Sequence, residues 1–262
     1  CAGTQQQKHF SHETLTIEPD HEKPITVWFD ATANWTRLGN RQEVAAMMEK
    51  CVEYETDIVV IDVKPISGYV LYNSDIAPKL TEWKGETHPE NYDLLEVAIE
   101  EGHKRGLQVF ASMNFFSEGH LGWGDEIPPH GVVLDNPEMQ DWQSVDYVVL
   151  EGDTEPSLVP AEQGVRGYSM FVSAANPEVV DYEMALLREI VSYDIDGICL
   201  DRVRFSGITA DFSDTAREAF EEYLGKPVGN WPSDIYTYEL KKGAEPEDIT
   251  ADEGARKARK AS

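Results

Sequence analysis

The amino-acid sequence predicts an α/β protein of the (β/α)8 barrel type, and two observations support this prediction. First, continuous apolar strands alternate with amphipathic helices, which is typical of parallel strands buried on both faces. The four predicted strands begin near Ile25, Asp57, Leu107 and Gly197. Second, the strands become polar only at their carboxyl ends, where barrels carry their active sites. The residues concerned are Asp30, Asp62, Lys64, Asn114 and Asp201.

The predicted helices carry recognisable start signals. Asp93 and Glu96 have the spacing of a capping box, and Asn176 followed by Pro177 is typical of an N-cap and first helical position. Apolar residues at helical spacing then predict which face of each helix is buried. The predicted faces are Val44, Met47, Met48, Cys51 and Val52; Leu95, Ala98 and Ile99; Val180, Met184, Leu187 and Val191; and Ala216, Phe220 and Tyr223.

Strand periodicity places alternate residues on one face of the sheet. It puts Asp62 and Lys64 on the same face of strand two, beside Asn114 of strand three and Asp201 of strand four. An open doubly wound sheet would show the same pattern, since its ligands also lie at the carboxyl ends of the strands. No phosphate-binding glycine loop follows strand one, which argues against a nucleotide-binding sheet of that kind.

Only four βα units are recognisable, whereas a closed barrel needs eight. The sequence therefore predicts a short N-terminal tether over residues 1–22 and the N-terminal half of a barrel over residues 23–262. A long insertion is expected over residues 117–176, with a small hairpin between Val145 and Pro160. Connections in compact domains usually have about 2–6 residues, so a longer one is commonly functional or an added subdomain.

Aromatic residues and acids share the predicted loops at the carboxyl ends of the strands. Tyr72 lies in the loop after strand two, and Glu118 and His120 begin the insertion. Aromatic rings pack against the apolar faces of sugars while acids and amides bind hydroxyls, so the pattern favours a carbohydrate ligand. Ordinary loop packing is the alternative for these aromatic residues. A metal site built from His120, Asp125 and His130 has no recognised ligand spacing, and no metal or other cofactor is expected.

The charge of the chain excludes some partners. Its 22 basic and 49 acidic residues give a net charge of −27. Nucleic acid and anionic lipid head groups repel such a chain, so neither is an expected partner. The sequence does not predict an oligomeric state.

The chain begins with Cys1, followed by the small and polar residues AGTQQQK. A mature bacterial lipoprotein begins in this way, with the lipid on the first cysteine and a polar tether after it. The alternative is an arbitrary start of the sequence. We expect a lipid on Cys1, the only predicted link to a membrane, and a location in the bacterial cell envelope; fatty-acid labelling of Cys1→Ser beside the wild type tests this.

Four segments together resemble a known group of proteins: VWFDATANW, IDVKPISGYVLYNSDIAP, YDLLEVAIEEGHKRGLQVFASMNFF and the ordered pair NPEVVDY and YDIDGICLDRVRFSG. They resemble the bacterial glycosyl-hydrolase-like envelope lipoproteins that are related to the α-amylase superfamily. The resemblance runs from about Ile25 to Gly207. It implies a (β/α)8 barrel that acts on glycosidic bonds, with this chain as its N-terminal half.

The resemblance also implies roles for individual residues. Asp201 matches the nucleophile at the end of strand four, and Asn114 matches the polar residue that ends strand three. We expect substrate to be bound by Asp30, Asp62, Lys64, Tyr72, Asn114, Glu118, His120, Arg202 and Arg204.

The sequence departs from the pattern of the superfamily at two points. Cys199 stands where the superfamily has an arginine, and the general acid normally comes from a fifth strand. Glu118 and Glu126 are weaker candidates for that acid. Two hypotheses therefore remain: a glycoside hydrolase acting on oligo- or polysaccharide, with Asp201 as nucleophile or charge stabiliser, and a non-catalytic glycan-binding lipoprotein. A structural ion pair with Arg202 or Arg204 is the alternative role for Asp201.

Overall fold

The computed structural model describes residues 23–122, 127–165 and 167–236. Cys1 and the predicted tether, Asp125, Glu126 and the chain from residue 237 onward lie outside the described residues. The strands are β1 Thr26–Phe29, β2 Ile58–Lys64, β3 Glu82–Trp83, β4 Glu86–Thr87, β5 Gln108–Asn114, β6 Ser117–His120, β7 Val145–Val148, β8 Ser157–Pro160, β9 Ser169–Phe171 and β10 Gly197–Asp201. The helices are α1 Trp35–Leu38, α2 Arg41–Glu53, α3 Leu94–His103, α4 Val132–Asp135, α5 Pro177–Ile190 and α6 Asp214–Leu224, with 3-10 turns at Pro137–Trp142 and Ala161–Gln163. None of the described helices combines the length and apolar character that crossing a membrane requires.

The centre of the fold is a parallel sheet with the strand order β1-β2-β5-β10. These are the four strands that the sequence predicts, in the predicted orientation. Their carboxyl ends meet at one edge of the sheet, so the polar residues at those ends are brought together. In the described part of the chain β1 and β10 are the outer strands of this sheet.

The predicted apolar face of the two central strands forms the core. Val59, Ile61 and Val63 of β2 are fully buried, as are Ala111 and Met113 of β5. Helices α2, α3 and α5 contribute buried residues to the same cluster. The outer strands are less covered, and Trp28 of β1 and Leu200 of β10 are exposed. Burial of this face is the main stabilising contribution to the sheet, at about 25 cal/mol per Å² of apolar surface.

Two predicted helix starts and the predicted hairpin are confirmed. The Asp93 side chain accepts a hydrogen bond from the backbone N–H of Glu96 at 3.0 Å, and Asn176 accepts one from Glu178 at 2.9 Å. Strands β7 and β8 pair antiparallel within residues 145–160. The long insertion is not an irregular loop, since it also contains β6 and β9, which pair with each other antiparallel.

The predicted buried face of α5 is wrong by one position. The buried residues are Val179, Glu183, Leu186 and Ile190, and Val191 is exposed. The buried face has Glu183 at its centre. A prediction based on apolar residues alone therefore selects the adjacent stripe of the helix instead. Val52 of α2 is also exposed rather than buried.

Helix α6 forms where the sequence predicts it, but no residue of this helix is buried. Tyr223, one of the three residues of its predicted face, is 85% exposed. The apolar face of α6 is therefore only partly covered by the described residues. The one ring contact of its Phe220 within them is with Trp231, with the ring centroids 6.2 Å apart.

A register shift at the end of β2 changes the direction of Lys64. Asp62 pairs with Ser112, yet Lys64 pairs with Met113, so an irregularity lies between Asp62 and Lys64. A bulge of this kind re-aims the side chain that follows it. The prediction that Lys64 shares a face with Asp62 is therefore wrong, and Lys64 points into the interior behind the sheet.

Lys64 is held there by two glutamates that are themselves fully buried. Its Nζ forms ion pairs with Glu118 of β6 and, at 3.2 Å, with Glu183 of α5. The same Nζ donates a hydrogen bond to the backbone oxygen of Asn114 at 2.7 Å. Burial and the charge of Glu118 raise the pKa of Glu183 well above its usual value, which favours its protonated form. We call Lys64, Glu118 and Glu183 the buried ion cluster.

We predict that Lys64→Met destabilises the protein by about 3–5 kcal/mol, because it leaves the buried Glu118 without its cation and Glu183 without its hydrogen-bond donor. Urea unfolding followed by circular dichroism measures this loss. Lys50→Met is the matched control, since Lys50 is exposed on α2 and its replacement should change the free energy of unfolding by about 0.5 kcal/mol or less. Equal stabilities of the two variants would contradict a structural role for the cluster.

Candidate active site

A pocket of about 360 Å³ lies at the carboxyl ends of the four parallel strands. The strands and the loops that follow them supply its floor, and the insertion supplies one wall. The residues that line it are Trp28, Asp30, Thr32, Ala33, Asp62, Pro65, Ile66, Trp83, Lys84, Ser112, Asn114, His120, Ile127, Tyr168, Asp201 and Arg202. Six of the predicted site residues are among them: Asp30, Asp62, Asn114, His120, Asp201 and Arg202.

Asp201 ends β10 and lies beside Asn114 of β5. Its side chain is exposed in the pocket, and its Oδ1 accepts a hydrogen bond of 2.7 Å from the backbone N–H of Arg202. Arg202 has a left-handed backbone with φ of +54°, uncommon for a residue other than glycine. This conformation turns the chain immediately after the strand and keeps Asp201 directed at the pocket.

The guanidinium of Arg202 is held away from Asp201 by a neighbouring amide. Its Nε donates to Oδ1 of Asn114 at 2.8 Å, and its Cζ lies 5.5 Å from the ring centroid of Phe171. Across the described ranges, no ion pair joins Asp201 to Arg202 or Arg204. The ion-pair alternative for Asp201 is therefore not the arrangement in this structure, and the carboxylate remains available to a ligand.

Asp62 is the most buried carboxyl group of the pocket, with 5% of its surface exposed. Burial, followed by the charge of Asp30, raises its pKa to about 7, and Asp201 raises it further while the N–H of Ala31 opposes the shift. Its Oδ1 has no hydrogen-bond partner. Asp62 can therefore be neutral or ionised near neutral pH, and its buried Oδ1 is unsatisfied in the structure.

Aromatic rings form the wall opposite the strand ends. The ring of His120 stacks on Tyr168 with centroids 5.2 Å apart and meets Trp83 edge-on at 5.8 Å. Burial and the neighbouring His130 lower the pKa of His120 to about 4, so this ring is neutral at physiological pH. Its Nδ1 accepts a hydrogen bond from the N–H of Gly122 at 3.0 Å, which leaves Nε2 as the protonated nitrogen. His120 also stacks on His130 at 5.2 Å and is only 5% exposed, so it supports the wall from behind. The exposed ring of Tyr168 is the surface that suits the apolar face of a sugar.

Four predicted substrate-binding residues do not line the pocket. Lys64 and Glu118 belong to the buried ion cluster. Tyr72 is fully buried, and its hydroxyl donates to Glu189 at 3.2 Å. Arg204 lies at the surface, where it donates to the backbone oxygen of Phe205 and lies over Phe171. The directions of these four side chains depend on the local backbone and on tertiary contacts. The periodicity of the strands does not show them.

Of the two predicted candidates for a second catalytic carboxyl group, one can be located in the structure. Glu118 is buried behind the sheet, and Glu126 lies outside the described residues. The pocket instead brings Asp30 and Asp62 together with Asp201. The described histidines, cysteines and carboxylates form no group of three or more that could hold a metal ion, and Asp125 of the metal alternative lies outside them.

Several pocket residues were not among the predicted site residues. Trp28 and Ser112 share the inward face with Asp30 and Asp62, so the alternation of the strands contained the signal for them. Trp83, Lys84 and Tyr168 reach the pocket through the small sheets β3-β4 and β6-β9. No local pattern indicates which residues of those loops face inward.

The fold is that of an α/β protein with a polar pocket at the carboxyl ends of its parallel strands, which is where such folds carry their ligand sites. The sequence model of the family Glycosyl hydrolase-like 10 matches residues 25–238, and the chain belongs to this family. It is 32% identical over 228 residues to a protein of Niallia circulans named S-layer-related protein. That match covers 82% of this chain and 13% of the relative, so the chain spans a small part of that protein's length.

Two solved structures are also similar to this chain. A hypothetical protein from Ruminiclostridium thermocellum ATCC 27405 is 18% identical with a TM-score of 0.44, covering 77% of this chain and 89% of that chain. Alpha-L-fucosidase isoenzyme 2 from Paenibacillus thiaminolyticus is 19% identical with a TM-score of 0.46, covering 88% of this chain and 28% of that chain. Neither likeness assigns an activity to this chain.

We predict that Asp62→Asn changes the pH dependence of stability. The carboxyl group has a pKa of about 3.9 when unfolded and about 7 when folded, so the folded state holds the proton more tightly. The contribution of Asp62 to wild-type stability therefore falls as pH rises between these values. Asparagine does not titrate, so the stability of Asp62→Asn relative to wild type should rise by about 2–4 kcal/mol from about pH 4 to about pH 8.

Urea unfolding at several pH values measures this difference. Asp153→Asn is the control, because Asp153 is exposed in the loop between β7 and β8 and lies outside the pocket. A stability difference between Asp62→Asn and wild type that is the same at every pH would show that Asp62 has an ordinary pKa.

Proposed function

We propose that this chain carries the site of a glycoside hydrolase that acts on an oligo- or polysaccharide, with Asp201 as nucleophile or charge stabiliser. The observation that carries the proposal is the pocket itself, where carboxylates from three strand ends face a wall of neutral aromatic rings. Membership of a glycosyl-hydrolase-like family supports it. A closer relation to the α-amylase superfamily remains part of the proposal and rests on the resemblance of the strand ends.

The chemistry requires an ionised carboxylate close to the anomeric carbon. An exposed carboxylate that is oriented by a backbone N–H, as Asp201 is, can attack that carbon or stabilise an oxocarbenium-like transition state. The reaction also needs a proton donor for the leaving group. We expect this group to come from Glu126 or from a further strand beyond the described residues, since Asp30 and Asp62 lie at the floor and suit the holding of the sugar ring.

A non-catalytic glycan-binding protein is the second candidate. It is favoured by the position of Glu118, which is fully buried against Lys64 and so does not provide the second carboxyl group. The pocket would then bind a glycan with the same residues and leave its bonds intact.

For the fold, we propose that the four parallel strands form one side of a (β/α)8 barrel. Support comes from the exposed Trp28 and Leu200 on the outer strands, and from α6, whose face is only partly covered. Amide hydrogen exchange tests it. Amides of β10 that exchange readily in residues 1–262 should become protected in a longer chain with additional strands, whereas unchanged protection would contradict closure at that edge.

We also propose a location in the bacterial cell envelope. The name of the relative from Niallia circulans, S-layer-related protein, supports this location. Attachment through a lipid at Cys1 stays a prediction from the sequence, and its fatty-acid labelling test is independent of the activity.

Asp201→Asn tests the catalytic role. It keeps the size of the side chain and removes its charge, so we expect turnover to fall by about three orders of magnitude or more while the melting temperature changes little. The assay uses a panel of p-nitrophenyl α- and β-glycosides of common hexoses and their amino derivatives. Asp153→Asn controls for the loss of one exposed carboxylate.

Two results would count against the catalytic role of Asp201. Near-normal turnover of Asp201→Asn on a glycoside that the wild type cleaves would exclude it as nucleophile. If the wild type binds a glycan but cleaves none of the panel, and Asp201→Asn abolishes that binding, the glycan-binding candidate takes the place of the enzyme.

A further inference from the structure

The pocket carries an excess of negative charge at its floor. Three carboxyl groups line it, those of Asp30, Asp62 and Asp201, against the positive charge of Arg202, whose guanidinium donates to Asn114. Lys64 is close in sequence but donates to the buried ion cluster on the other side of the sheet, and it lowers the pKa of Asp62 by less than Asp30 or Asp201 raises it. The floor therefore attracts a positively charged group and repels an acidic one.

The two carboxyl groups of the floor are adjacent. Phe29 pairs with Ile61 in the sheet, so the next residues, Asp30 and Asp62, follow on neighbouring strands that lie about 4.8 Å apart. Oδ1 of Asp30 accepts hydrogen bonds from Thr32 Oγ1 at 2.8 Å and from the N–H of Ala33 at 2.7 Å. These bonds fix the side chain, so the pair is organised before a ligand arrives.

Asp62 adds a separate observation that points to a ligand. Only 5% of the surface of Asp62 is exposed, and the residue lines the pocket. Its Oδ1 has no hydrogen-bond partner. A buried polar atom without a partner is unfavourable by about 1–3 kcal/mol in general, and such atoms are rare unless a ligand or water satisfies them. A donor placed at the floor of the pocket would satisfy this oxygen.

We propose that Asp30 and Asp62 form a subsite for the protonated amino group of an amino sugar, which would make glycans with free amino groups the preferred ligands. This proposal rests on the proposed role of the pocket in carbohydrate binding. An ammonium group offers three donors and one positive charge to two adjacent carboxylates. A hydroxyl would satisfy Oδ1 but leave the repulsion between Asp30 and Asp62, and an N-acetylated amine has lost its charge.

The proposal has a proton-linked consequence. Asp62 is surrounded by Asp30 after β1, Asp201 and Arg202 at the end of β10 and Lys64 in its own strand, while its partner in β5 is the uncharged Ser112. Charged groups farther out on the pocket wall are Lys84 and, only below its pKa, His120. An ammonium ligand beside Asp62 favours its ionised form, so binding below its pKa releases a proton to the solvent.

Isothermal titration calorimetry with the full 262-residue chain tests the subsite. The probes are the methyl α- and β-glycosides of glucosamine, N-acetylglucosamine and glucose, which differ only in the group at C2. At about pH 6, below the pKa of Asp62, we expect the glucosamine glycoside of at least one anomer to bind about tenfold or more tightly than its two analogues. Titrations in two buffers of different ionisation enthalpy should show release of up to about one proton for that ligand and none for glucose.

Two variants test whether the preference for the amino group arises at Asp30 and Asp62. Asp62→Asn should weaken glucosamine binding by about 30-fold or more and abolish the proton release. Because Asp62 is buried and its replacement can perturb the fold, the exposed Asp30→Asn is the second variant, and it should weaken the same ligand without affecting the glucose glycoside. Asp153→Asn should behave as the wild type in every titration.

The proposal is overturned if the glucosamine glycosides bind no better than their analogues, including the case in which none of the probes binds. It is also overturned if tighter binding persists in both Asp30→Asn and Asp62→Asn. Failure of this proposal can be distinguished from failure of the proposed hydrolase activity. A chain that cleaves neutral glycosides but shows no amine preference refutes the subsite alone, whereas proton-linked amine binding without cleavage refutes the hydrolase alone.

Discussion

The buried ion cluster of Lys64, Glu118 and Glu183 is the interaction on which the rest of the structure depends. It joins three parts of the chain that are distant in sequence: the end of β2, the start of the insertion at β6, and the inner face of α5. Because all three side chains are fully buried, each requires the others to remain in place. The cluster thereby fixes the insertion and α5 against the sheet directly behind the pocket.

The cluster connects to the site through backbone and side-chain hydrogen bonds. Lys64 Nζ donates to the backbone oxygen of Asn114, and the Asn114 amide donates back to the backbone oxygen of Lys64 at 3.0 Å. The oxygen of the same amide accepts from Arg202, whose N–H holds Asp201. The direction of Asp201 is therefore set by a continuous series of contacts that starts in the interior, and the carboxylate needs no ion pair of its own to be positioned.

Much of this architecture could be predicted from the sequence, and the errors have a common cause. The four parallel strands, the caps at Asp93 and Asn176 and the hairpin β7-β8 follow from periodicity and local hydrogen bonding, which are short-range properties. Lys64 and the inner face of α5 were misplaced because a lysine and a glutamate far apart in sequence satisfy each other inside the core. The hydrophobic pattern of the sequence predicts that both residues are exposed. Only their contact in the folded structure shows that they are buried.

The pocket has two structural sources, and this has a consequence for how the family can diversify. The carboxylates belong to strand ends held by the central sheet, whereas His120 ends β6 and Tyr168 directly precedes β9 in the insertion. Loops tolerate insertion and substitution far more readily than buried parallel strands. The β6-β9 segment can therefore be exchanged or reshaped to accept a different ligand while the acidic floor is inherited unchanged, so ligand choice and chemical capability can evolve on separate segments of one chain.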